Sequence, residues 1–385
     1  MGNKTMKILH TTPTLDISYG GPSTCTYYLV KGLNELVPTD VLTLRSEKLI
    51  WKDTFIKALP NDAFSPFLYS RNFGKYINDH ASEYDFVHAN VIWYYFSHQA
   101  RKAAERAGIP FVLSPHGMLY PNALKGRSSW KKKLTMPLFQ REDLEKATIL
   151  HATCKQEMKH LRALGLKQPI AVVPNCLNID EDYLRMSDEK RPENNRRRFG
   201  FVGRVARIKN IDRIIEAWKK LDDKTQDAEL VIIGSGDEVY LSELKQYVAE
   251  NQLKNVSFTG FLTGDKLKAE VHKLDVQLLV STSENFGMVV PEALINRVPV
   301  IAAYGTPWEE LPEKNCGWWI DNSVDSIAET IEQVLQLSES TRLVMGENGR
   351  QLVLEKYSME NVAKKMKSVY DYVLGYGTKT EDIYE

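Results

Sequence analysis

Short apolar runs alternate with stretches of helical periodicity along almost the whole chain. This alternation narrows the possible folds more than any other feature. Lys7–Thr11, Asp40–Leu44, Asp85–Ala89, Pro110–Pro115, Ile149–Thr153 and Ile170–Pro174 read as strands in the first half. Arg198–Val202, Glu229–Gly234, Val256–Gly260, Val276–Ser281 and Pro299–Ala302 follow in the second. Between them lie helices. One runs from Pro22 through Leu36, with Tyr28, Leu29, Gly32, Leu33 and Leu36 on one face. Others cover Trp93–Ala107 and Trp130–Lys146, and another buries Ile211, Ile214, Ile215, Trp218 and Leu221. Val324–Gln336, Thr341–Lys356 and Met359–Leu374 end the chain. Alternation of this kind means parallel sheets with right-handed crossovers. At 385 residues the chain is too long for one ordinary core, so two α/β domains of about 180 residues are expected. Asp180–Arg198, rich in charge and ending in Arg196-Arg197-Arg198, reads as the exposed linker between them. The predicted bounds are residues 1–180, residues 181–357 and a closing helix with its tail, residues 358–385.

Composition excludes several classes. Lys plus Arg and Asp plus Glu are both 50, so no net basic field marks a dedicated nucleic-acid binder. Cys25, Cys154, Cys176 and Cys316 are scattered without zinc-ligand spacing or a CxxC pair. They read as reduced, mostly buried thiols, and the chain as cytoplasmic. No apolar run reaches membrane-spanning length, and Met1–Lys7 does not read as a signal peptide.

The chemistry concentrates where strands end. Ser283–Ala293 reads as a strand exit, a turn containing Gly287 and a helix N-terminus with Pro291 in its first turn. Such a terminus offers backbone N–H groups and a positive dipole end to phosphate. Glu284 and Glu292 flank it with seven residues between. Carboxylates repel phosphate, so their expected partners are hydroxyls. A nucleotide sugar has phosphate in its middle and hydroxyls at both ends. Taken alone, the pair reads equally well as a solvated carboxylate and a helix-capping one. Gly203-Arg204 ends another strand, and Lys209 stands at the next helix start. Both cations then converge on the crevice edge near a helix N-terminus, although two surface cations at a helix end are the plain alternative. Gly20-Gly21 follows the first strand and lets backbone approach a ligand, or simply makes a turn. Gly234-Ser235-Gly236 lacks the third glycine of a dinucleotide fingerprint. His116 lies just past a strand, whereas His10, His88 and His151 fall within or near the ends of strands and read as satisfied buried imidazoles.

Together these residues resemble the retaining family-4 glycosyltransferases of GT-B fold. The resemblance rests on Glu284, Phe286-Gly287 and Glu292-Ala293, on Gly203-Arg204 with Lys209-Asn210, and on Ser114-Pro115-His116-Gly117-Met118-Leu119. Asn285 replaces the usual glycine, and Pro174-Asn175-Cys176 lacks another. The resemblance implies two Rossmann-like domains facing across a cleft, with the last helix crossing back onto the first domain. Tyr370 and Tyr372 are expected to serve that packing. It implies that Glu284 contacts the donor hexose and Glu292 the ribose, that Arg204 and Lys209 hold the diphosphate, and that His116 sits beside the transferred sugar. Gly20, Gly21, Phe261, Leu262, Asn285, Phe286, Gly287, Met288 and Val289 complete the expected donor site. The exit loop Tyr304–Glu310 is also expected near the donor. Asn122 and Lys125, in the loop after His116, are expected near the acceptor or simply in solvent.

The expected activity is retaining transfer of a hexose to a saccharide or lipid-linked acceptor in glycan or polysaccharide synthesis. UDP-glucose is the first candidate donor and GDP-mannose the second. No bound cofactor or metal is expected, because no Asp-x-Asp pair of the kind that holds a metal against a diphosphate is read. A phosphorylase, an epimerase and a non-catalytic nucleotide-sugar sensor are the rival readings. Lys125-Gly126-Arg127 and Lys131-Lys132-Lys133 bracket Trp130, with Leu134, Met136 and Leu138 beyond. That basic, apolar stretch reads either as a solvated helix face or as a peripheral membrane contact.

Overall fold

The computed structural model describes residues 6–16, 19–64, 67–125, 129–189 and 196–385. Gly126 and Arg127 of the basic stretch, and residues 190–195 of the charged interval, lie outside the described residues. The chain divides into two compact units. Unit one is Met1–Asn178 with Ser358–Glu385, and unit two is Ile179–Tyr357.

Unit one is built on β1 (Ile8–Thr11), β2 (Thr39–Leu44), β3 (Ile56–Leu59), β4 (Phe86–Asn90), β5 (Phe111–Ser114), β6 (Ile149–Ala152) and β7 (Ile170–Val172). Their order is β7-β6-β5-β4-β1-β2-β3, all parallel, with Ile383–Tyr384 adding an antiparallel edge to β7. The sheet therefore grows from β1 in one direction and restarts at β4 in the other. The crevice at such a switch point, outside the carboxyl ends of the strands, is where open α/β sheets bind ligands.

Unit two has β8 (Arg197–Val202), β9 (Ala228–Ile233), β10 (Val256–Gly260), β11 (Val276–Leu279), β12 (Val300–Ala303) and β13 (Gly317–Ile320). These are parallel throughout in the order β10-β9-β8-β11-β12-β13. Its switch point lies between β8 and β11.

The central strands β1, β4, β5, β6, β11 and β12 are buried along their whole length, as continuous apolar runs in a sheet covered on both faces must be. The Ile211–Leu221 helix buries Ile211, Ile214, Ile215, Trp218 and Leu221 as its periodicity predicts. The Gly21–Asn34 helix stops short of Leu36, which is 38% exposed and lies off the core face. β3 and β13 escape the sequence reading because Ile56–Leu59 and Gly317–Ile320 are short and only partly buried.

The closing helix, Met359–Val373, belongs to unit one. It buries Val362, Ala363, Met366, Val369 and Tyr370 against the Gly21–Asn34 helix and its strands. Gly32 makes the crossing possible: a Cβ there would come 2.8 Å from Met359 Cγ. Tyr372 packs at the edge of the same cluster.

The charged interval corrects the linker expectation. Glu181–Asp188 is a helix of unit two, and Tyr183 is buried with its hydroxyl 3.2 Å from the Asn296 side-chain amide. Tyr183, buried within that charged interval, anchors the helix, a signal that charge density hides.

Candidate active site

In unit two the switch point brings two loops together. Gly203-Arg204 leaves β8, and Arg207–Lys209 forms a single 3₁₀ turn. The following helix starts only at Ile211, so Lys209 precedes it rather than opening it. Asn210 joins the two with a left-handed backbone (φ 53°), a conformation asparagine tolerates better than most residues. Its buried amide donates to Val280 O at 2.7 Å and Thr282 Oγ1 at 3.0 Å, and Thr282 N–H donates to Ile208 O. The loop carrying Lys209 is thereby tied to the loop carrying Glu284.

Lys209 Nζ forms an ion pair with Glu284, and both side chains are less than one-fifth exposed. Sequence reasoning placed Lys209 as a free phosphate ligand; in the fold its charge is shared with the first carboxylate. Ser281 Oγ also reaches Glu284, at 3.4 Å. Arg204 is exposed and has no side-chain partner among the described residues. The Gly234-Ser235-Gly236 turn lies alongside it. A Cβ at Gly236 would sit 2.3 Å from Val205 O and 3.0 Å from Arg204 Cγ, and one at Gly234 would collide with Gly203 O. These two glycines serve close packing of the β8 and β9 exits, which accounts for the incomplete fingerprint.

The Ser283–Ala293 stretch adopts the expected turn, then the short Val289–Ile295 helix. Gly287 takes φ 80°, and a Cβ there would lie 2.8 Å from Leu279 Cδ2. Val290 N–H is occupied by Gly287 O, so the amides left over are those of Gly287, Met288 and Val289. Three supports from distant residues hold the turn. Trp308 Nε1–H donates to Phe286 O at 2.6 Å, Gln277 Nε2 donates to Val289 O at 2.7 Å, and Glu284 N–H donates to Gly305 O at 2.8 Å. The Phe286 ring is committed to packing against Trp308 and Tyr357. Gly305 is required because a Cβ would meet Ser281 O at 2.3 Å. Within Tyr304–Glu310, Trp308 is wholly buried; Glu310 binds Lys356 and Tyr357, and Glu309 occupies the cap position of the next turn without a side-chain cap bond.

Glu292 is the unusual carboxylate. It is half-buried in the first turn of the short helix, and its side chain has no hydrogen-bond partner among the described residues. Burial raises its pKa from the ordinary 4.5 to about 7. A carboxylate so desolvated and unpaired is unfavourable in the free fold, as ligand-facing groups commonly are. Phe261 is 72% exposed and Leu262 half-exposed after β10.

In unit one the equivalent edge carries His116. It sits past β5 in a left-handed conformation (φ 51°), followed by Gly117 (φ 75°). The Gly117 N–H donates to Glu157, whose other oxygen accepts from Thr153 N–H and Oγ1 at 2.8 and 2.9 Å. Glu157 is fully buried, which pushes its pKa up, and it fixes the His116 turn. His116 Nε2 lies 3.3 Å from Asn90 Oδ1, at the end of β4. Burial and nearby His151 lower the His116 pKa to about 3, so the ring is neutral at physiological pH. His10, His88 and His151 are buried and hydrogen-bonded, as read from sequence. Asn90 and Glu157 escaped that reading: an asparagine at a strand end and a glutamate in a helix's first turn carry no local mark of function. Gly20 (φ 90°) and Gly21 are exposed at the start of the Gly21–Asn34 helix. Asn122 and Lys125 lie exposed on the helical turn Pro121–Leu124 and at its C-cap, rather than in a loop.

The described residues contain no cluster of three metal-ligating side chains. One literal Asp-x-Asp triplet does occur, Asp180-Glu181-Asp182. Asp180 Oδ1 there accepts from Tyr183 N–H at 2.7 Å, which makes it a helix cap. All four cysteines are buried, and none forms a disulfide among the described residues. Among the described residues no helix is long and apolar enough to cross a membrane.

Comparison with known proteins places this geometry. Residues 184–352 match the model for glycosyl transferases group 1, and residues 20–176 match the glycosyl transferase 4-like domain. An uncharacterized glycosyltransferase of Methanocaldococcus jannaschii, MJ1607, is 33% identical over 213 residues, 52% of this chain and 53% of that one, so the match spans about half of that relative. The 2-deoxystreptamine glucosyltransferase of Streptomyces kanamyceticus is 26% identical over 71% of this chain and 73% of its own. Among solved structures, a glycosyltransferase from Rickettsia africae superposes with a TM-score of 0.76 at 19% identity, covering 96% of this chain and 99% of its own. Anabaena HepE in complex with UDP and glucose superposes with a TM-score of 0.70 at 18% identity, covering 95% and 99%. Two family matches that together span most of the chain, on a pair of parallel-sheet units shared with these structures, show that the chain belongs to the group 1 glycosyltransferases and has the GT-B fold.

Proposed function

We propose that this glycosyltransferase moves a hexose from a nucleotide sugar to a saccharide or lipid-linked saccharide acceptor, with retention at the anomeric carbon. UDP-glucose is the first donor to test and GDP-mannose the second. The observation that carries the reading is the pair of carboxylates on one turn in opposite states. Glu284 is held by Lys209, whereas Glu292 is desolvated and has no hydrogen-bond partner for its side chain among the described residues. In this reading Glu292 accepts from the ribose hydroxyls and Glu284 orients the hexose. The amides of Gly287–Val289 lie between them, facing the diphosphate.

As the glycosidic bond breaks, negative charge develops on the departing diphosphate. Arg204 and the Lys209 ammonium stabilise that charge more in the transition state than before it. No carboxylate is read as a nucleophile for double displacement. The reading therefore takes a front-face route, in which the leaving phosphate oxygen accepts the proton of the acceptor hydroxyl. On the acceptor side, Trp130, Leu134 and Leu138 are 58%, 44% and 64% exposed at intervals of four residues. That stripe, with Lys131 and Lys133 beside it, supports a contact with the membrane that carries a lipid-linked acceptor.

The direct test is a panel of nucleotide sugars scored by thermal stabilisation, then by transfer or slow hydrolysis. One donor is expected to raise Tm clearly above the others and to be turned over. Binding without transfer or hydrolysis would identify a sensor instead. Because fixed cations take the role of a metal here, activity is expected to survive excess EDTA unchanged. Reversible loss on chelation, restored by a divalent ion, would reject the metal-independent route.

A further inference from the structure

Within unit one, four imidazoles, an amide, a phenol and a hydroxyl form one continuous hydrogen-bonded chain. It starts at His116 Nε2, 3.3 Å from Asn90 Oδ1, and Asn90 Nδ2 lies 3.2 Å from His10 Nδ1. His10 Nε2 is 2.9 Å from the Tyr370 oxygen, which is 2.7 Å from His88 Nδ1. His88 Nε2 meets Ser114 Oγ at 2.5 Å, and Ser114 Oγ meets His151 Nδ1 at 2.6 Å. His151 Nε2 ends the chain 2.8 Å from Val173 O.

The chain has only one consistent direction. Val173 O is a carbonyl and only accepts, so His151 carries its proton on Nε2. Burial keeps that ring neutral, with a pKa near 4, so its Nδ1 is bare. Ser114 must donate to that nitrogen, and its oxygen accepts from His88 Nε2–H. His88 is neutral for the same reason, so its Nδ1 is bare and Tyr370 O–H donates to it. The Tyr370 oxygen then accepts from His10 Nε2–H, and His10 Nδ1 accepts from the Asn90 amide.

The opposite end reaches the same assignment independently. Asn90 Nδ2 also faces Thr11 O at 3.3 Å and His88 O at 3.4 Å, two groups that only accept. The amide nitrogen must therefore point to them, and Oδ1 must face His116. An amide oxygen only accepts, so the His116 proton sits on Nε2.

We infer that Asn90 is a positioning residue that holds the His116 proton on Nε2 and leaves Nδ1 bare, so that His116 meets a sugar hydroxyl as a hydrogen-bond acceptor. The hydroxyl's identity as a sugar rests on the proposed hexosyl transfer; the tautomer does not. Among the described residues nothing hydrogen-bonds to Nδ1. Among the described residues the titratable groups around the ring include His151 at 6.4 Å between centroids, His10 and His88 further along the chain, Glu157 through the Gly117 amide, and the Cys25 and Cys176 thiols lining the same small cavity. Tyr370 is the keystone of the relay. It is the member supplied by the closing helix, and it both donates and accepts. The docked helix thus joins the His10 side chain of β1 to the His88 side chain of β4 and carries the direction fixed at the two ends of the chain between them.

Two measurements test the inference. Long-range proton–nitrogen spectra of the full, ligand-free chain with labelled histidine report which ring nitrogen is protonated. His10, His88, His116 and His151 are all expected as Nε2–H tautomers, with His116 unchanged between pH 6 and 8. A proton on His116 Nδ1, or a charged ring at pH 6, overturns the inference. The second uses Asn90→Asp. A carboxylate beside Nε2 favours the imidazolium and raises the His116 pKa, and protonation removes the bare Nδ1. At donor concentrations that saturate the site at every pH, so that Glu292 titration does not enter, transfer by this variant should fall about tenfold per pH unit below the new pKa and recover above it, while the native profile stays level in that window. A level profile in the variant, or one falling as pH rises, counts against the assignment. If Asn90→Asp does not fold, the native spectrum decides alone. Because that spectrum needs no substrate, failure of the transfer reading and failure of the tautomer assignment are distinguishable.

Discussion

Replacing Arg204 by alanine is expected to lower turnover about 10²-fold at saturating donor, the loss typical when one donor to developing transition-state charge is removed. That corresponds to about 2.7 kcal/mol of transition-state stabilisation. Stability should be unchanged, because Arg204 is exposed and binds no side chain among the described residues. Lys209→Ala is expected to cost at least as much, for a second reason. Lys209 is the counter-ion of Glu284, so its removal both withdraws a cation from the diphosphate and frees the carboxylate meant to orient the hexose. The two roles separate in a double-mutant cycle. Lys209→Ala combined with Glu284→Gln should lose less activity than the two single losses multiplied, because the pair acts as a unit. Arg204→Ala combined with Glu284→Gln should be closer to multiplicative. Near-normal turnover in both Arg204→Ala and Lys209→Ala would defeat the charge-stabilisation account.

Glu292→Ala is expected to weaken binding of the free nucleoside diphosphate about 10²-fold in calorimetry. Two hydrogen bonds from ribose hydroxyls to a carboxylate, at about 1.5 kcal/mol each, account for a loss of that size. The pH dependence follows from the raised pKa of about 7. Hydroxyl donors prefer the ionised carboxylate, so native affinity should rise with pH up to about 7 and then level off. Stability of the ligand-free fold has the opposite sense. Below about pH 4.5 the carboxyl is protonated in both folded and unfolded chains and contributes nothing. Between 4.5 and 7 the unfolded chain ionises while the fold keeps its proton, and the fold loses stability. Above 7 the loss is complete. Glu292→Gln should therefore be no more stable than the native chain at pH 4.5 and clearly more stable at pH 8, while binding the nucleotide poorly at both. Unchanged nucleotide affinity in Glu292→Ala rejects the ribose assignment. Equal unfolding midpoints of native chain and Glu292→Gln at pH 8 reject the desolvated state.

Much of the candidate site was legible because its residues sit where local pattern has meaning. Glu284, Gly287 and Glu292 follow an apolar strand, Arg204 ends another, and His116 leaves a third. A side chain just past the C-terminal end of a parallel strand stands at the sheet edge where ligands bind. The glycines were harder to interpret. Gly234 and Gly236 looked like half a nucleotide motif, yet each is required by a backbone carbonyl within 2.3 Å of where its Cβ would be. Over Glu181–Asp188 the linker reading failed for a related reason. Charge density across Asp180–Arg198 outweighed Tyr183, whose burial pins the Glu181–Asp188 helix.

The amino-acid order alone specified element types, two α/β domains and the strand-end chemistry, because burial imprints its periodicity on neighbouring residues. It carried no record of strand order. Only the folded sheets set β8 beside β11, and so Lys209 against Glu284, 75 residues later. Only they set β1 beside β4 beneath the closing helix, so that Tyr370 completes a relay 282 residues from His88. A carboxylate left without a partner, or an imidazole whose proton is fixed by a distant carbonyl, depends on what the rest of the chain brings alongside. Hydrophobic periodicity is a property of segments, whereas hydrogen-bond satisfaction is a property of neighbours in space.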